Sequence, residues 1–251
     1  GDRETATAQA TAECLRRAGI QVAIGDRSLP LIYVEMIRRA GIEIEYDPAL
    51  GVMDRRQKDE EEIDWLRASQ QITEEAIELA CRMITRCRAD AGGTLILEGQ
   101  ALTSERVRLA IDQFFLTKEF SNPSSIIAGG PQGADCHDFG SGELKTGVPI
   151  IVDIFPTSRG TRYCGDCTRT VVHGDIPDEV IRMHGAVADA KRAAITATKT
   201  GVTGQSVHEA TLASLAAAGY AAGLPEDDQP DSYCAMTHGT GHGIGLEVHE
   251  P

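Results

Sequence analysis

The chain has 251 residues, 41% of them hydrophobic and 25% charged, the make-up of an ordinary globular protein with one large domain or two. Its 24 basic residues stand against 38 acidic ones, a formal charge of −14. That balance argues against nucleic acid or an anionic membrane as main partner, because both select a basic surface.

Seven cysteines, at positions 14, 81, 87, 136, 164, 167 and 234, form an odd and scattered set. We read no charged-then-apolar leader at the start and no apolar run near the roughly 20 residues a membrane span needs. The expectation is a cytoplasmic protein with reduced thiols. Gly1-Asp2-Arg3 lacks an initiator Met, so we also expect the sequence to start inside a longer gene product.

Residues 5–18 follow a helical pattern ending at Gly19, and 21–24 form a short apolar run ending at Gly25. A second helical pattern spans 29–40 with Gly41 as its stop, and 42–46 alternates as a strand. Residues 1–50 thus read as a small α/β unit, the remnant of a larger N-terminal domain. Residues 47–53 read as a linker, and the charged stretch 54–64 as the solvated first turn of a long amphipathic helix. That helix is marked by Ile63, Leu66, Ala68, Ile72, Ala76, Ile77 and Leu79. Thr103-Ser104-Glu105 opens another helix, which buries Val107, Leu109, Ile111 and Phe114. A strand over 124–128 precedes the Gly-rich turn 129–133. The runs 148–155 and 162–173 read as a β-hairpin turning at Arg159-Gly160. Helical patterns return at 178–200 and at 205–218, the latter ending at Gly219.

Two clusters carry chemistry. The last fourteen residues read H-G-T-G-H-G-I-G-L-E-V-H-E-P and bring His238, His242 and His249 into one Gly-laced stretch. Imidazole is the commonest neutral metal ligand and a natural acid or base near neutral pH. The hairpin supplies the second cluster. A two-residue turn at Arg159-Gly160 sets Asp153 opposite Asp166, and two carboxylates so placed repel unless they share a proton or a cation. Apolar flanks on both strands imply partial burial, which raises that cost. The alternative is that one Asp is a turn residue or that the register slips. His173, His184 and His208 lack such context and read as structural.

Two other motifs fail. Cys164-Gly165-Asp166-Cys167 is a C-x-x-C, but it lies inside a strand pattern where residues three apart face opposite sides, and no second C-x-x-C completes a zinc site. The 239–245 stretch imitates a nucleotide loop without the required glycine spacing or a P-loop Lys. A metal-dependent hydrolase is the leading reading.

The clusters, D-I-F-P-T-S-R-G-T-R-Y-C-G-D-C-T-R-T and then H-G-T-G-H-G-I-G-L-E-V-H-E-P, supported upstream by S-S-I-I-A-G-G and D-C-H-D, resemble the creatinase/prolidase/methionine-aminopeptidase family of "pita-bread" metallopeptidases. The match is nearest to its Xaa-Pro aminopeptidase and Xaa-Pro dipeptidase branch. The resemblance implies an α+β fold, with a curved, mostly antiparallel sheet flanked by helices over 57–251, preceded by the partial α/β domain. It implies two divalent metal ions, Mn²⁺ first and Co²⁺ or Zn²⁺ as substitutes, with Asp153 on one ion, Asp166 bridging and His242 on the second. His137 and His249 match the family's substrate-binding and catalytic histidines, and His238 matches one near the substrate pocket of the proline-specific branch. The implied substrate is a peptide with proline at the second position, cleaved before proline by a metal-bridging hydroxide, and the implied assembly is a homodimer.

The family completes its site with two glutamates well after the H-E-P, and Glu247 and Glu250 do not match them. We therefore expect a polypeptide that continues past Pro251; in a genuinely truncated one the dinuclear site would stay incomplete and inactive. The competing functions are a metal-free creatinase-like C–N hydrolase and an inactive family member acting as a binding module.

Overall fold

The computed structural model describes residues 2–226, 228–230 and 233–250. The chain divides into two compact units, one up to Lys58 and the other Asp59–Glu250.

In the first unit, helices α1 (Arg3–Arg17) and α2 (Leu31–Arg39) alternate with strands β1 (Val22–Gly25) and β2 (Glu43–Tyr46), which pair in parallel, Val22 beside Glu43. Gly19 and Gly41 follow the two helices with φ of 72° and 79°, a conformation L side chains rarely adopt, so both helices stop where glycine permits the turn. Ala12, Ile37 and Ile42 form the small core. Part of the stretch read as linker is helical: α3 covers Val52–Arg56.

The second unit begins with α4 (Glu60–Thr85), opened by a capping box in which Asp59 and Glu62 bond each other's backbone N–H. Short strands β3 (Arg88–Ala89), β4 (Leu95–Leu97) and β5 (Gln100–Ala101) then form an antiparallel sheet. Helix α5 (Ser104–Thr117) is capped by the Thr103 hydroxyl. Strand β6 (Phe120–Ser121) leads to β7 (Ile126–Gly129), and the Gly-rich turn is a 3₁₀ helix, Gly130–Ala134. Strands β8 (Pro149–Ile154), β9 (Thr157–Ser158) and β10 (Cys167–Val172) follow. Helices α6 (Asp178–Ala197) and α7 (Gly204–Ala217) pack together through Ala186, Ala190 and Leu215, and β11 (Ala221–Ala222) pairs in parallel with β12 (Ala235–Met236).

The central sheet is antiparallel in the order β10-β8-β7. Strand alternation in β8 sends Ile150, Val152 and Ile154, all fully buried, into one core with Ile84, Leu95, Leu102, Ile111 and Phe115. Each such side chain contributes about 1.5–3 kcal/mol on burial. Asp153 therefore projects from the opposite, less covered face. Among the described residues no helix is long and apolar enough to cross a membrane.

Candidate metal centre

The hairpin does not turn at Arg159-Gly160 alone. Ser158 N–H donates to Tyr163 O and Arg162 N–H donates to Ser158 O, each at 3.0 Å, so the loop is 159–162, with Arg162 in the left-handed region at φ 71°. The longer loop moves the register by two residues. Asp153 faces Thr168, not Asp166, and the Thr168 hydroxyl donates to Asp153 Oδ1 at 2.5 Å. A shift of two preserves the face of every side chain, because strand periodicity is two. Asp166 thus stays on the side of Asp153, as a diagonal neighbour just ahead of β10.

Helix α4 fixes this end of the hairpin. Asp166 N–H donates to Gln70 Oε1 at 3.2 Å, and Gly165 N–H donates to Pro156 O at 3.0 Å. The buried Tyr163 donates to Glu62, its ring centroid lies 5.3 Å from that of Trp65, and its carbonyl accepts from the Ser69 hydroxyl at 3.1 Å. Burial, then the Glu62 bond, pushes the Tyr163 phenol up to about 12.

The terminal loop brings two of its three histidines to the carboxylates. His242 Nε2 lies 3.4 Å from Asp166 Oδ2, with the side chains 33% and 26% exposed. The His242 and His249 rings meet edge to face, centroids 4.3 Å apart. His242 Nδ1 donates to Gly243 O at 2.9 Å, which leaves Nε2 on the carboxylate side. A metal-ligating histidine is held in this way, one nitrogen committed to a carbonyl and the other to the ion. Burial raises the affinity of Asp153 for its proton, with the Thr168 bond and the nearby His249 and His242 opposing. Burial and then the charge of Asp153 do the same to Asp166, opposed by His242 and His249. Two half-buried carboxylates that repel each other beside an imidazole nitrogen make a donor set suited to hard divalent cations, so the residues present fit the metals that the resemblance implies. Asp153, Asp166 and His242 are spread more widely than a set whose ligand atoms all fall within 4.8 Å; among the described residues that condition is met by the exposed trio Asp135, Cys136 and His137.

His137 and His238 are not drawn into this group. His137 is exposed, its ring 3.6 Å from Cys136 Sγ and 3.8 Å from Asp135 Oδ1. His238, also exposed, donates from Nδ1 to the carbonyl of its neighbour Gly239 at 2.8 Å. His208, read from sequence as structural, instead reaches the motif: its Nδ1 meets the Thr240 hydroxyl at 2.8 Å. Gln70 also reaches the site, and a lone Gln on a helix face carries no sequence signal. Cys164 and Cys167 are buried and free, and burial pushes both thiols up.

Residues 64–251 match the model of metallopeptidase family M24. A Mycobacterium tuberculosis protein named "Probable dipeptidase PepE" is 39% identical over 126 residues, covering 50% of this chain and 30% of that one. The prolidase structure from Pyrococcus horikoshii superposes on 96% of the chain and 62% of its own, with a TM-score of 0.75 at 22% identity. The X-Pro aminopeptidase structure from Thermotoga maritima covers all of this chain and 64% of its own, with a TM-score of 0.74 at 23% identity. The chain therefore spans less than two thirds of the length of each. The fold is that of the pita-bread prolidases, mixed helix and sheet.

Proposed function

The chain belongs to metallopeptidase family M24, and from that membership and the site's geometry we propose that it supplies the metal-binding and substrate-facing part of a dinuclear Xaa-Pro peptidase. Asp153, Asp166 and His242 would hold the divalent ions, Mn²⁺ first, with Asp166 shared between them. When bound, the pair supplies a nucleophilic hydroxide at neutral pH and polarises the scissile carbonyl. His249, packed edge-on against His242, would donate an imidazole N–H to the developing oxyanion. The Thr168 hydroxyl holds Asp153 in one orientation, and Gln70 holds the backbone of Asp166. His137 and His238, on exposed segments, are assigned to the substrate, a peptide with proline at its second position.

The observation that carries this reading is the His242 ring. One nitrogen is committed to Gly243 O, and the other lies 3.4 Å from a carboxylate that burial and Asp153 both disfavour as an anion. The division at Lys58 and Asp59 supports taking 57–251 as catalytic-domain sequence and 1–50 as N-terminal-domain sequence. All seven cysteines are free, which supports a reducing, cytoplasmic setting. The homodimer rests on the resemblance alone.

Calorimetric titration with Mn²⁺ tests the metal, and hydrolysis of Xaa-Pro dipeptides against longer Xaa-Pro peptides, with excess Mn²⁺, tests the activity. Cleavage confined to dipeptides assigns a dipeptidase, and cleavage of the longer peptides an aminopeptidase. Asp166→Asn is expected to lose at least about 100-fold in Mn²⁺ affinity, beyond what outer partners of a metal site usually cost. Binding unchanged in that variant, or no cleavage by the full-length protein with Mn²⁺ in excess, overturns the peptidase reading. Metal-independent turnover of a guanidino compound would favour the creatinase-like alternative.

A further inference from the structure

Glu250 matches none of the family's ligands, yet it is 4% exposed in a loop whose other side chains are mostly open. A buried carboxylate is costly unless hydrogen-bonded. Glu250 Oε1 accepts from the backbone N–H of Leu246 at 3.1 Å and of Glu247 at 3.4 Å. Its own backbone exchanges two bonds with Gly243, at 2.7 and 2.9 Å, closing the loop as an antiparallel bridge. His242 precedes one member of that bridge and His249 the other, so both imidazoles hang one residue from the closure. Gly245 makes the arrangement sterically possible, because a Cβ there would lie 2.5 Å from Glu250 Oε2. The same glycine is anchored from outside, its carbonyl accepting from Cys164 N–H at 2.8 Å.

We propose that Glu250 is a positioning residue whose carboxylate, folded inside the loop 243–250, sets the separation of His242 and His249 and so prepares the metal centre. The role rests on the metal reading above and adds a residue outside the ligand set proposed there. It also explains the choice of a charged acceptor. A carboxylate can take several N–H bonds from a tight turn at once, and charge-assisted bonds hold such a turn more firmly than neutral ones.

The test compares wild type, Glu250→Ala and Glu250→Gln by three readouts: amide exchange, the His242 and His249 ring resonances, and calorimetric Mn²⁺ affinity. In Glu250→Ala the Leu246 and Glu247 amides should exchange at least about tenfold faster, as for a segment released to local opening, while Val152 keeps its protection. The two ring resonances should shift, and Mn²⁺ affinity should fall about 10–100-fold, the range for an outer partner of a metal site. Glu250→Gln retains an acceptor oxygen and should restore most of the protection and affinity. Unchanged protection of the two amides, or unchanged rings and affinity, overturns the proposal. An affinity loss in Glu250→Gln equal to that in Glu250→Ala, with the amides still protected, also overturns it, because charge rather than loop geometry would then be the cause. Failure of wild type to bind Mn²⁺ would sink the metal reading, and the exchange and ring readouts would then decide the loop role by themselves.

Discussion

The two sides of the candidate centre are built by different means. Asp153 stands on the middle strand of a ladder, flanked by Thr168 on one side and Ile126 on the other, with Val152 and Ile154 fully buried beneath. His242 and His249 stand on a loop closed by one bridge, a carboxylate folded inward and a few side-chain contacts. Asp153 inherits the stability of the whole sheet, whereas the histidines depend on local bonds that open without unfolding the core. A site built this way joins a rigid anionic floor to an adjustable imidazole wall.

Removing core volume under β8 should have the largest effect on both sides of the site. Ile154→Ala deletes a fully buried side chain, and a loss of about 2–5 kcal/mol in denaturant unfolding is expected. The hairpin and the histidine loop should then lose amide protection together, since global opening exposes both. A cost under about 1 kcal/mol would mean that the sheet is not the foundation of the carboxylate side.

A smaller and local effect is expected from Gly245→Ala. The new methyl must displace the Glu250 carboxylate, and overpacking of this kind costs about 1–3 kcal/mol. The loss should appear in the exchange of Leu246 and Glu247, with the β8 amides unmoved. Because both substitutions act on one contact, Gly245→Ala combined with Glu250→Ala should be far from additive. Additive losses would separate the two residues and dissolve the brace.

The same contrast governs what the sequence makes legible. Regular periodicity carried the helices, the central hairpin and the small N-terminal α/β unit, and strand alternation put Asp153 and Asp166 on one face. The turn was harder: Arg159-Gly160 fits a two-residue loop, but Arg162 accepts a left-handed backbone and lengthens it, which moves Thr168 opposite Asp153. Strands such as β3, β5 and β6 are two residues long, too short for any period to register. The contacts of His208 with Thr240 and of Gln70 with Asp166 join residues distant in sequence, and no local pattern announces them. Glu250 is legible only as a residue that matches nothing, because a carboxylate that accepts from the backbone N–H groups of Leu246 and Glu247 leaves no mark in a side-chain pattern.

The finest probe of the loop is Thr240→Val, which keeps the shape of the side chain and removes the hydroxyl that meets His208 Nδ1 at 2.8 Å. A neutral hydrogen bond of this kind is worth about 0.5–1.5 kcal/mol. Thr240 lies two residues before His242, on the opposite side of it from the Gly243–Glu250 bridge. If the loop is held at both ends, the substitution should loosen the 238–242 stretch in amide exchange and leave Leu246 and Glu247 protected. If instead both amides lose protection with it, the loop opens as one body, and the bridge at Glu250 cannot be an independent clasp. The size of the shift in the His242 ring resonance then measures how much of the imidazole wall is set from helix α7 rather than from within the loop.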